Sequence, residues 1–89
     1  MSLPLAEHLQ RYRDDIARQL QEVESRRASL TASWYRLREN WQGEGADAFH
    51  QAFHRALGRF DSQAERLQRM LPQLDVALEN LRAHFNSEG

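Results

Sequence analysis

Asn40-Trp41-Gln42-Gly43-Glu44-Gly45-Ala46 decides how this chain folds, because it is the one break between two long stretches whose apolar residues repeat at helical spacing. Gly43, with Gly45 close behind, adopts positive φ at little steric cost, which ends one helix and reverses the chain. Trp41 then closes the hairpin end, burying a large ring. Its indole N–H needs an acceptor, which an exposed helix-end carbonyl in the turn would supply.

N-terminal to this turn, Leu5, Leu9, Tyr12, Ile16, Leu20, Val23, Leu30, Trp34, Leu37 and Trp41 recur at steps of three and four, with Arg27 in the one missing slot. That period predicts an amphipathic helix over about 4–40, a rod of roughly 54 Å, with Pro4 tolerated in its first turn. The consecutive four-residue steps Tyr12 to Ile16 to Leu20 read as a stutter that relaxes left-handed supercoiling. On the outer face, Glu7 with Arg11, Asp14 with Arg18 and Glu22 with Arg26 have the spacing of solvated ion pairs. Arg27 has two readings: its guanidinium snorkels outward from a buried stem, or it pairs across an interface and sets register.

C-terminal to the turn at 41–45, Phe49, Phe53, Leu57, Phe60, Ala64, Leu67, Leu71, Leu74, Leu78, Leu81 and Phe85 follow the same rule and predict a second helix over about 46–85. Ala46, Ala48, Ala52 and Ala56 at its start would let the backbones approach around Trp34 and Trp41. Pro72 removes a helical hydrogen bond and clashes with the preceding turn, so a kink or short break is expected near Leu71. A connection this short makes the helices antiparallel. The expected fold class is all-α, an antiparallel two-helix hairpin forming a single domain. Two helices cannot enclose a core, and Phe53, Phe60, Leu67 and Leu74 are too many for one seam. A second hairpin completing a four-helix bundle dimer is the economical solution.

Composition narrows the function classes. The chain has 89 residues, no cysteine, and 12 basic residues, all Arg, against 13 acidic ones, interspersed to a net charge of −1. That balance argues against a nucleic-acid or anionic-membrane surface, and no disulfide or thiolate site is available. No stretch has the length of an apolar membrane span, and the N-terminus lacks a signal-peptide apolar run. Met1-Ser2-Leu3 and Glu88-Gly89 look like vector remnants.

Candidate chemistry is thin. His50 and His54 share a helix face at metal-ligand spacing and flank Phe53. Gln51 nevertheless stands where a His-Glu-x-x-His metalloprotease has its general base, and zinc would need a third ligand from Asp47 or Glu44. Asp14-Asp15 and Glu22 with Glu24 have no cleft in which to shift a pKa. Ser25, Ser29 and Ser33 form a polar row with no activating base placed by sequence. Arg36 with Arg38, Arg55 with Arg59 and Arg66 with Arg69 would meet phosphate, but acids balance them. The expectation is a non-catalytic protein without cofactor or metal.

Trp41-Gln42-Gly43 between two such helices, with Asn40 before it and Gly45-Ala46, Phe49 and Phe53 after it, resembles the WxG family of early-secreted-antigen-like proteins of type VII (ESX) secretion. The resemblance covers essentially the whole chain. It implies helical hairpins that pair as homodimers or heterodimers and leave the cytoplasm folded, secreted without a cleavable signal. It also implies a secretion or turn motif at Trp41 and Gly43, and recognition by a secretion ATPase. That recognition commonly uses a tail Tyr-x-x-x-Asp/Glu acting with the partner's Trp-x-Gly turn. Here the sequence departs from the family, since His84 occupies the position that would align with Glu88, and Phe85 to Glu88 is one residue short. The residues assigned to core or dimer interface are Leu9, Tyr12, Ile16, Leu20, Val23, Leu30, Trp34, Leu37, Phe49, Phe53, Phe60, Leu67, Leu74, Leu78 and Leu81. A homodimer is the slight preference, because both stripes are apolar with no charge imbalance that demands a complement. The rival expectations are a hairpin targeting domain or chaperone-like helper of a larger toxin or effector, and a structural coiled coil.

Overall fold

In a computed structural model, residues 3–88 are described, and side chains are described for 4–84. Residues 1–2 and 89, and the side chains of Phe85 and Glu88, lie outside the described residues. Helix α1 spans Leu3–Arg38 and helix α2 spans Glu44–Glu88, joined by a short turn. The two helices lie side by side in a hairpin rod of 69 × 16 × 13 Å. At about 1.5 Å per residue, a helix the length of α2 spans nearly the whole rod.

The seam between the helices is more regular than the sequence suggests. In α1 the seam positions, all buried or half-buried, run Ala6, Leu9, Arg13, Ile16, Leu20, Val23, Arg27, Leu30 and Trp34, alternating steps of three and four without interruption. The stutter at Tyr12 is therefore not used. Arg13 takes the slot, Ala6 replaces Leu5, and Tyr12 and Leu5 remain 49% and 57% exposed beside the seam. In α2 the same alternation runs through Ala46, His50, Phe53, Leu57, Phe60, Ala64, Leu67, Leu71, Leu74, Leu78 and Leu81. An unbroken 3.5-residue period on both helices is the pattern of a left-handed coiled-coil pair.

Among the described residues, two ion pairs cross the seam. Arg27 Nε donates to Asp61 Oδ1 at 2.7 Å, and Arg13 Nε donates to Asp75 Oδ1 at 2.8 Å. Arg13 and Arg27 are two heptads apart, as are Asp61 and Asp75, so the same antiparallel register satisfies both pairs. Asp75, by its hydrogen bond and its charge, pushes the Arg13 pKa up, which keeps that guanidinium charged. Arg27 thus pairs within its own hairpin, across the helix interface. The three ion pairs expected along the outer face of α1 are not the ones formed: Arg18 turns to Asp15 at 2.6 Å, and Asp14 accepts from Gln10 at 3.0 Å.

Pro72 lies inside α2, which continues through it as the second helix was expected to do, so of the expected kink or short break near Leu71 the break is absent. Pro72 and Gln68, whose carbonyl loses its donor, are both exposed, so the freed group faces solvent rather than the seam. Leu71 and Leu74 on either side keep their seam slots, so the heptad stays in phase.

Burial is shallow throughout. Ala6, Ile16, Val23, Trp34, Ala46, Phe53, Leu67 and Leu78 form the core at 3–8% exposure, and no described side chain falls below 2%. Ile16, Val23 and Leu67 make the central cluster, with Leu20, Phe60, Ala64, Met70, Leu71 and Leu74 packed around it. Leu9, Leu30 and Leu81 are half-buried. Leu37 and Phe49, expected in the core or interface, are 46% and 43% exposed.

Candidate functional site at the hairpin turn

α1 ends at Arg38, two residues short of the expected Asn40, through turn bonds from Asn40 N–H to Leu37 O at 3.2 Å and from Trp41 N–H to Arg38 O at 3.5 Å. α2 starts at Glu44, and its first backbone bond runs from Asp47 N–H to Gly43 O at 3.0 Å. Gly43 is therefore the residue that opens α2. Its φ of 106° lies in the region L side chains rarely enter. Gly45 has no such role: a Cβ there would meet Trp41 Cζ2 at 3.5 Å, ordinary contact. Basic Arg36 and Arg38 close α1, and acidic Glu44 and Asp47 open α2, so both helix dipoles are complemented at the turn.

Above the turn sits a cluster of rings. Trp34, 5% exposed, is its centre. Its centroid lies 5.2 Å from Phe49, 5.3 Å from His50, 5.5 Å from Phe53 and 6.5 Å from Trp41, the last edge-on at 75°. Trp41 also packs on Phe49 at 5.5 Å. The expected arrangement of large residues against an Ala-rich helix start gives way to large against large. Ala46 alone of the four alanines is buried, while Ala48 and Ala52 are exposed. Nor does the Trp41 indole N–H bond a helix-end carbonyl among the described residues. Trp41 is held by its ring faces and edges. The buried indole N–H without an acceptor belongs to Trp34. An uncompensated N–H costs about 1–3 kcal/mol, set against about 0.5–1.5 kcal/mol for each aromatic pair.

A hollow opens beside this cluster, lined by Trp34, Arg38, Trp41, Gln42, Asp47 and His50. It brings together the turn motif residues Trp41 and Gly43 with the end of α1 and the first turns of α2. On the next turn of α2, His54 Nε2 lies 3.0 Å from His50 Nε2. Neither Asp47 nor Glu44 completes a metal site with them, since among the described residues no three His, Cys, Asp or Glu side chains converge. The serine row Ser25, Ser29 and Ser33 borders a separate shallow hollow with Arg26, Leu30 and Phe60 and no histidine. No described helix is long and apolar enough to cross a membrane. Periodicity missed His50 as a seam residue, because a histidine is not counted in an apolar stripe. Its position three before Phe53 and four after Ala46 was the available signal.

No family model, curated protein or solved structure matches the chain.

Proposed function

We propose that this chain is a WxG-type interaction protein: a non-catalytic hairpin that pairs into a four-helix bundle and is exported by, or escorts a partner through, a type VII (ESX-like) secretion system. The observation that carries this reading is the turn itself. Gly43 at positive φ and Trp41 packed edge-on to Trp34 make a surface-presented tip at one end of the rod. A tip of this kind offers a translocase shape and an aromatic edge without offering chemistry.

Pairing is supported by the surface. The hairpin exposes 6843 Å², whereas a compact monomer of 10.5 kDa exposes about 5,400 Å². The difference is about 1,400 Å², enough for one side of a substantial dimer interface. The proposed partner is a second copy, or a related hairpin in a heterodimer.

The test is export from a host carrying a type VII system, with Trp41→Ala against wild type. The expected result is loss of the extracellular protein while the cytoplasmic dimer persists by light scattering. Equal export of both forms overturns the recognition role of the turn. A monomer at micromolar concentration removes the bundle.

A further inference from the structure

We infer that His50 and His54 form a two-point chelate for a divalent late transition-metal ion at the turn end of α2. This inference stands apart from the secretion reading and rests on the geometry of the two rings.

The histidines occupy successive turns of one continuous helix, so the distance between their backbones is set by α2. Their Nε2 atoms approach to 3.0 Å, with ring planes at 88° and centroids 4.3 Å apart. His50 is held in the seam against Trp34 at 5.3 Å, tilted by 34°. His54 is exposed and rests on Phe53 at 6.1 Å. His50 is thus packed in the seam, and His54 reaches it from the solvent side.

At this separation one imidazole gives the bridging proton and the other a lone pair. An ion replaces that proton and takes a lone pair from each ring. With two metal–nitrogen bonds of about 2.05 Å, a 3.0 Å separation subtends about 94° at the metal. That is the cis angle of a square-planar or octahedral sphere, below the tetrahedral value that structural zinc prefers. Borderline nitrogen donors at such an angle favour Cu²⁺ and Ni²⁺ over Zn²⁺, and exclude Mg²⁺ and Ca²⁺, which take oxygen. With no third ligating side chain converging among the described residues, the remaining positions stay open to water. The bound ion ties two turns of α2 together beside the Trp34 cluster.

The experiment titrates tag-free protein in a non-coordinating buffer at pH 7.5 with Cu²⁺, Ni²⁺, Zn²⁺ and Mg²⁺. The readouts are indole fluorescence and calorimetry. Saturable one-ion binding is expected in the order Cu²⁺ above Ni²⁺ above Zn²⁺, with quenching of the nearby indoles by the first two and no response to Mg²⁺. His50→Asn and His54→Asn should each lose at least ten-fold in affinity, and His8→Asn with His84→Asn should leave it unchanged. A wild-type isotherm reproduced by the His50→Asn/His54→Asn double variant, or abolished by the His8 and His84 changes, overturns the site. Should the double variant lose helicity by circular dichroism, imidazole NMR of the wild type decides. Zn²⁺ shifts confined to His50 and His54 support the chelate, and shifts elsewhere or none refute it.

Discussion

At the scale of single residues, the two turn glycines separate cleanly although they stand two apart. Gly43 needs its positive φ of 106°, and Gly45 lies within ordinary helix geometry, facing the Trp41 ring. Gly43→Ala should cost about 1–3 kcal/mol by forcing a Cβ into that backbone region. Gly45→Ala should be neutral or add up to about 1 kcal/mol through helix propensity. Urea melts of the two variants check both, and equal losses would mean the turn is set by something other than the Gly43 backbone. Sequence pattern showed that a glycine turn exists here. Which glycine carries the turn depends on where α2 begins, and that is settled by the Asp47 N–H reaching Gly43 O.

At the scale of the helices, the seam admits three polar residues, Arg13, Arg27 and His50, among aliphatic and aromatic ones. Each is tolerated for a different reason. The arginines are half-buried and meet aspartates of α2 across the seam, while His50 packs at a tilt against Trp34. Half-exposed pairs of this kind stabilise weakly, about 0–1 kcal/mol for Arg27 with Asp61. Their value is in register, since a one-heptad slip would separate both pairs together. Arg27→Asp should destabilise by about 0.5–1 kcal/mol, and adding Asp61→Arg should recover most of it. Thermal melts of the single and double variants measure the coupling, and simple additivity would show that the pair does not set register. The apolar period was readable along the chain, but Tyr12 and Arg13 compete for one slot. Only the opposing Asp75 makes the arginine the better occupant.

At the scale of the molecule, the hairpin is a rod with a radius of gyration of 20.1 Å, against about 12 Å for a compact chain of this length. Such a shape leaves apolar residues at the surface, with Tyr12, Leu37 and Phe49 each more than two-fifths exposed. In a lone hairpin, Tyr12→Glu or Leu37→Glu would change stability by no more than about 0.5 kcal/mol. In the proposed four-helix assembly the same changes place a charge in an apolar interface. They should shift sedimentation from dimer to monomer and lower the melting temperature in a concentration-dependent way. Sedimentation identical to wild type for both variants would exclude their faces from the interface.

Periodicity and turn chemistry were enough to establish an all-α hairpin, because a 3.5-residue apolar repeat and a glycine reversal each depend on neighbours within a few residues. They also placed Trp34, Phe53, Ile16, Val23, Leu67 and Leu78 inside. The occupants of contested slots, the partners in the cross-helix pairs and the setting of the His50 ring against Trp34 were not legible along the chain. Each depends on what the opposite helix or solvent offers, or on the rotamers that packing against Trp34 selects. That information exists only once both helices are side by side.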